Sequence, residues 1–95
     1  MKTSITARHF ELTEAIKKHI EKKANYLHSH YNFIIEIDFT LEVDSESKAV
    51  ENQMAEAKVH ISGETLHSKV FSKDLYQSID ELTDKLARLL SKHKK

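Results

Sequence analysis

The rhythm of apolar and polar positions changes several times along this chain of 95 residues. Residues 2–8 alternate, with Ile5 and Ala7 on one side and Ser4, Thr6 and Arg8 on the other, which is the period of a half-buried strand. From Thr13 the spacing becomes helical: Leu12, Ile16, Ile20, Ala24, Leu27 and Tyr31 recur every three or four positions. Thr13 stands at the N-cap and Glu14 in the first turn, where an acid is favoured, so a first helix runs to about His30. Residues 35–43 alternate cleanly, with Ile35, Ile37, Phe39, Leu41 and Val43 against Glu36, Asp38, Thr40 and Glu42. They predict a strand with one core face and one acidic, wet face.

Residues 44–52, DSESKAVEN, have no period and read as a mobile polar loop. Ala55, Ala57, Val59 and Ile61 then alternate with Glu56, Lys58 and His60, and this third strand ends at Gly63, the only glycine. A turn over SGET leads to a fourth strand in which Leu66, Ser68 and Val70 share a face. Leu75, Ile79, Leu82, Leu86, Leu89/Leu90 and His93 form the stripe of a closing helix, with Asp74 at its N-cap and Gln77 three positions on. The order β-α-β-β-β-α predicts one α+β domain over residues 1–95: a two-layer sandwich whose four-stranded sheet carries both helices on one face. Short connections favour an antiparallel arrangement for the last three strands.

Composition narrows the class. Without cysteine there is no disulfide and no thiolate zinc site, and a reducing, cytoplasmic setting is expected. The opening MKTSITARHF lacks the apolar stretch of a secretory signal. No apolar run approaches the ~18–20 residues of a membrane helix, so a soluble protein without a membrane partner is expected.

The formal net charge of zero hides a segregation. Residues 1–31 hold six Lys/Arg against three acids, residues 32–56 one lysine against seven acids, and residues 57–95 eight Lys/Arg against five acids. Opposite faces of opposite potential steer a polyanion to one side. In the closing helix, everything ionisable after Asp84 is basic. Lys85, Arg88, Lys92 and Lys95 are spaced three, four and three apart and form one stripe, with Lys94 beside it. The first helix adds Lys17, Lys18, Lys22 and Lys23 outside its apolar stripe. If the helices pack side by side, these outward groups form one phosphate-neutralising surface. The plainer reading is a solvated helix end where cations suit the C-terminal dipole, with Glu81–Lys85 and Asp84–Arg88 as supporting pairs.

Enzymatic chemistry is not expected, because no nucleophile motif or glycine-rich phosphate loop is present. No cofactor or small-molecule substrate is implied. His28 and His30, two apart at a helix end, point their rings apart, so no metal site is expected there. His60 and His67 are expected to line strands, and Tyr76 to pack against a neighbouring strand or loop.

The ending DLYQSIDELTDKLARLLSKHK and the opening ITARHFELTEAIKKHIEKK resemble the ribosome hibernation promoting factors, relatives of ribosome-associated inhibitor A also described as sigma-54 modulation proteins. The two separated motifs stand at the family's spacing. The resemblance implies a fold like that of double-stranded RNA-binding domains. It implies binding to the small ribosomal subunit and its ribosomal RNA, in the channel between head and body across the messenger and transfer RNA positions. Translation would be inhibited there in stationary phase or stress and idle ribosomes preserved, with short members promoting ribosome dimers alongside a ribosome modulation factor.

By motif match the resemblance assigns RNA contacts to Lys17, Lys23, Lys85, Arg88 and Lys92, whereas Lys18, Lys22, Lys94 and Lys95 rest on the charge pattern alone. Leu89, at a position that is usually polar, and the lead-in Phe71-Ser72-Lys73 depart from the family pattern. Two other readings stand beside this one: a protein interaction module using the acidic strand or the loop at 44–52, and a general binder of double-stranded RNA.

Overall fold

The computed structural model describes residues 2–46 and 48–93. Its elements are β1 (Lys2–Arg8), α1 (Glu14–His30), β2 (Glu36–Val43), β3 (Gln53–Ile61), β4 (Glu64–Ser72) and α2 (Leu75–Ser91). The strands lie in the sheet in sequence order, β1-β2-β3-β4. The α1 crossover makes β1 and β2 parallel, while β2, β3 and β4 run antiparallel, as the short connections require. The β3–β4 hairpin turns through Ser62 and Gly63, and Gly63 takes φ +77°, a region glycine enters without the clash of a Cβ.

Both helices are amphipathic and bury their apolar stripes against one sheet face. Ile20, Ala24 and Leu27 of α1 and Leu75, Ile79, Leu82, Leu86 and Leu90 of α2 meet Ile37, Phe39, Leu41, Ala55, Ala57, Val59, Leu66 and Val70 of the sheet. Each fully buried Leu, Ile or Phe side chain contributes roughly 1.5–3 kcal/mol, so this single layer carries most of the hydrophobic stabilisation. Leu89 is half-buried and packs on the same cluster. Ile35 breaks the expected pattern: it precedes β2 and is 57% exposed. Ile34, one position earlier, is buried in the core cluster in its place, so the in–out alternation holds only once the chain has entered the strand.

The helix starts are held as expected, and also by groups from elsewhere. Thr13 Oγ1 accepts from Ile16 N at 3.2 Å, and Asp74 Oδ1 accepts from Tyr76 N at 3.3 Å. At α2 the Gln53 Oε1 of β3 accepts from Leu75 N at 2.7 Å. Ser78 Oγ donates to Gln53 O at 2.7 Å and lies 2.5 Å from Ser72 Oγ. The Phe71-Ser72-Lys73 lead-in is thereby tied to the helix it precedes, through the buried Ser72.

Candidate nucleic-acid interface

Helices α1 and α2 pack side by side and run in the same direction. His19 and Lys23 of α1 reach Asp80 of α2 at 2.7 and 3.4 Å, and the His19 ring meets Tyr76 edge-on at 5.1 Å. At the other end His30 and His93 line one open depression with Phe33, Ile61 and Glu64. Partial burial raises the Asp80 pKa, but the hydrogen bond with His19 and the charge of Lys23 outweigh it and hold the carboxylate below its usual value. Tyr76 therefore packs against the neighbouring helix, where a strand or loop was expected.

Helical geometry, at about 100° per residue, puts Lys18 and Lys22 nearly opposite the apolar stripe of α1. It puts Lys85, Arg88 and Lys92 on the side of α2 turned away from its leucines. Lys17, Lys18, Lys22, Lys85, Arg88 and Lys92 are all exposed, and among the described residues none of the six is in an ion pair. The pairs Glu81–Lys85 and Asp84–Arg88, drawn from spacing alone, do not form, so these cations have no carboxylate in contact. Lys23 differs: it is half-buried and turned to Asp80. Lys94 and Lys95 lie outside the described residues.

Because the helices are parallel, the two basic groups are staggered along the layer. Residues 19 and 23 stand level with residues 76 and 80, so Arg88 sits roughly 12 Å further along the axis at ~1.5 Å per residue. At the first end the N-terminal dipoles of both helices add to the lysines. At the second, Lys85, Arg88 and Lys92 offset the negative dipole end of α2 and leave a net cationic surface. The layer thus presents two groups of exposed cations with the Lys23–Asp80 pair near one of them.

The opposite sheet face is not the acidic surface that the β2 pattern suggested. Register places Lys2, Ser4 and Arg8 of β1, Lys58 and His60 of β3, and His67 and Lys69 of β4 beside Glu36, Asp38, Glu42 and Glu56. His67 Nε2 lies 2.5 Å from Glu56 Oε2, with Lys69 Nζ at 3.8 Å from the same oxygen, and the hydrogen bond from His67 first of all lowers the Glu56 pKa. His60 Nε2 lies 2.8 Å from Asp38 Oδ2, and Ser4 Oγ donates to Asp38 Oδ1 at 2.7 Å. Strand pairing mixes the charges that sequence order had separated. His60 and His67 do line strands, but as partners of acids.

Two features escaped the sequence pattern. His28 is 5% exposed, and neither ring nitrogen has a hydrogen-bond partner. Desolvation pushes its pKa down. Glu36, Asp38 and His60 bring three metal-capable atoms within 4.8 Å of one another. Glu36 shares a hydrogen bond with Asp38, which first of all raises the Glu36 pKa and pulls Asp38 down to about 2.

The element order, with both helices on one sheet face, defines a class of small two-layer α+β sandwiches, here with exposed cations on the helix layer. Within it, this chain belongs to the family described as Sigma 54 modulation protein / S30EA ribosomal protein, whose profile matches residues 3–95. It is 33% identical over 94 residues to the ribosome hibernation promoting factor of Klebsiella oxytoca, covering 99% of this chain and 94% of that one. A ribosomal subunit interface protein from Coxiella burnetii has the same fold, with TM-score 0.86 over 98% of this chain and 97% of that one at 24% identity. The N-terminal domain of Thermus thermophilus Protein Y superposes with TM-score 0.79 over 98% of this chain and 96% of that domain at 26% identity.

Proposed function

We propose that this protein is a ribosome hibernation factor whose helix layer faces ribosomal RNA. The observation that carries the reading is the set of six exposed cations without carboxylate partners on one layer of a chain with zero formal net charge. Phosphates supply the missing counter-charge, and the stagger of the two patches suits a backbone running along the helices. Membership of the family and the name of the Klebsiella oxytoca relative point to the ribosome as the RNA's source.

In this reading the domain occupies the messenger and transfer RNA channel of the small subunit. It inhibits translation there by steric occlusion, without bond-making chemistry. Shape and phosphate contacts hold it, with little base readout. Idle ribosomes are preserved and ribosome dimers promoted, in company with a modulation factor.

Sucrose-gradient sedimentation with purified ribosomes tests this. The protein is expected to co-migrate with small subunits or whole ribosomes and to leave them as salt rises. Six phosphate contacts give a slope of log affinity on log salt of roughly −4 to −5. The double substitution Arg88→Ala with Lys92→Ala is expected to weaken co-sedimentation and flatten that slope by about 1.5–2, while the protein stays folded. A protein that remains at the top of the gradient at every salt concentration contradicts the reading. A pull-down before and after nuclease treatment separates RNA-mediated partners from direct protein partners, and competition by free duplex RNA identifies a general double-stranded RNA binder.

A further inference from the structure

On the sheet face away from the helices, we propose that Glu36, Asp38 and His60 form a site for a divalent transition metal of the zinc type. The three donor atoms, two carboxylate oxygens and an imidazole nitrogen, already lie within 4.8 Å of one another. They come from two paired strands: Glu36 stands opposite His60 in the β2–β3 register, and Asp38 is two residues along on the same face. Zinc–ligand bonds are about 2.0–2.2 Å, which sets tetrahedral ligands roughly 3.5 Å apart, so the donors have to draw together by little more than about 1 Å. All three residues are half-buried, which leaves a fourth position open to water.

The surroundings are those a metal site needs. His60 Nδ1 lies 3.2 Å from Thr65 Oγ1 of β4, a contact that holds the ring with Nε2 toward the carboxylates; Nε2 donates to Asp38 Oδ2 in the free protein, and the metal replaces that proton. Asp38 Oδ1 receives the Ser4 hydroxyl of β1, so Oδ2 is the oxygen left for the centre. The site is thus braced from all four strands. Two carboxylates drawn together on one strand face repel unless a proton or a cation lies between them, and a dication neutralises both at once. Lys2, opposite Glu36, and Lys58, opposite Asp38, also face this cluster and compete with the ion. Mixed imidazole and carboxylate donors select Zn²⁺ over Mg²⁺ or Ca²⁺, which take oxygen ligands.

Titrating the full chain with ZnCl₂, by calorimetry and by amide NMR, tests the site without reference to ribosomes. One saturable Zn²⁺ is expected, with the largest shifts at Glu36, Asp38 and His60, and no comparable response to MgCl₂. His60→Ala is expected to weaken binding at least about tenfold, and Glu36→Gln, which keeps the side chain's shape, to weaken it as well. His93→Ala, in the other histidine-lined depression, is expected to leave it unchanged. Should His60→Ala not fold, Glu36→Gln and the shift pattern decide. The proposal is overturned by the absence of saturable binding at millimolar Zn²⁺, by full affinity in Glu36→Gln and His60→Ala, or by loss of binding in His93→Ala.

Discussion

His28 sits in the core region of α1 with both ring nitrogens unpaired, and a buried polar group without partners costs about 1–3 kcal/mol. Its folded-state pKa is depressed by desolvation, so the folded state resists a proton that the unfolded chain accepts. The contribution is therefore fully present above the usual imidazole pKa of ~6.5 and is lost as the pH falls from there through the lowered folded value. Urea unfolding at pH 7 and pH 5 is expected to show lower stability at pH 5. His28→Leu is expected to be as stable as the parent or more so and to lose part of that pH dependence. Gly63, at φ +77° with no atom within 4 Å of the place a Cβ would occupy, is limited by backbone conformation and not by space. Gly63→Ala is expected to cost about 1–2 kcal/mol in the same assay.

At the scale of elements, α2 depends on its N-terminal joint as much as on its leucines. Asp74 is read directly from the sequence as a cap, and Asp74→Ala is expected to cost about 1 kcal/mol by thermal or urea unfolding. Gln53 and Ser78 were not legible in this role, because the donor–acceptor pairs Leu75 N–Gln53 and Ser78–Gln53 span 22 and 25 residues. Leu86 is fully buried between the layers, and Leu86→Ala is expected to destabilise by about 2–5 kcal/mol. The β2 pattern misled in two respects: alternation gave Ile37, Phe39 and Leu41 to the core, but Ile34 and not Ile35 is the buried residue at the strand's entry, and the acidic face is shared with basic residues of the neighbouring strands.

The whole molecule decides where charge ends up. In sequence the acids of 32–56 look like a face of their own, yet β1 and β4 lay Lys2, Arg8, Lys69 and His67 beside them. In the helix layer the opposite happens, since side-by-side packing brings two separately basic segments together and, among the described lysines and arginines of the helices, pairs only Lys23. A direct comparison follows from this asymmetry. Lys18→Gln with Lys22→Gln is expected to weaken ribosome co-sedimentation and reduce its salt slope. Lys58→Gln with Lys69→Gln, on the sheet face, is expected to leave both unchanged, as read on the same gradients.

The element order, both helix caps, the apolar stripes apart from the exposed His93, and the basic stripe of α2 as far as Lys92 were determined by the sequence alone. Each depends on neighbours three or four apart on a helix, or two apart on a strand, and local geometry is enough to relate them. Strand pairing and helix packing decided the rest: the neutralised sheet face, the Asp80 bridge, the partnerless burial of His28 and the convergence of Glu36, Asp38 and His60. Those arrangements join residues as far as 61 positions apart, and no local period carries that information, because it arises only when the two layers close on each other.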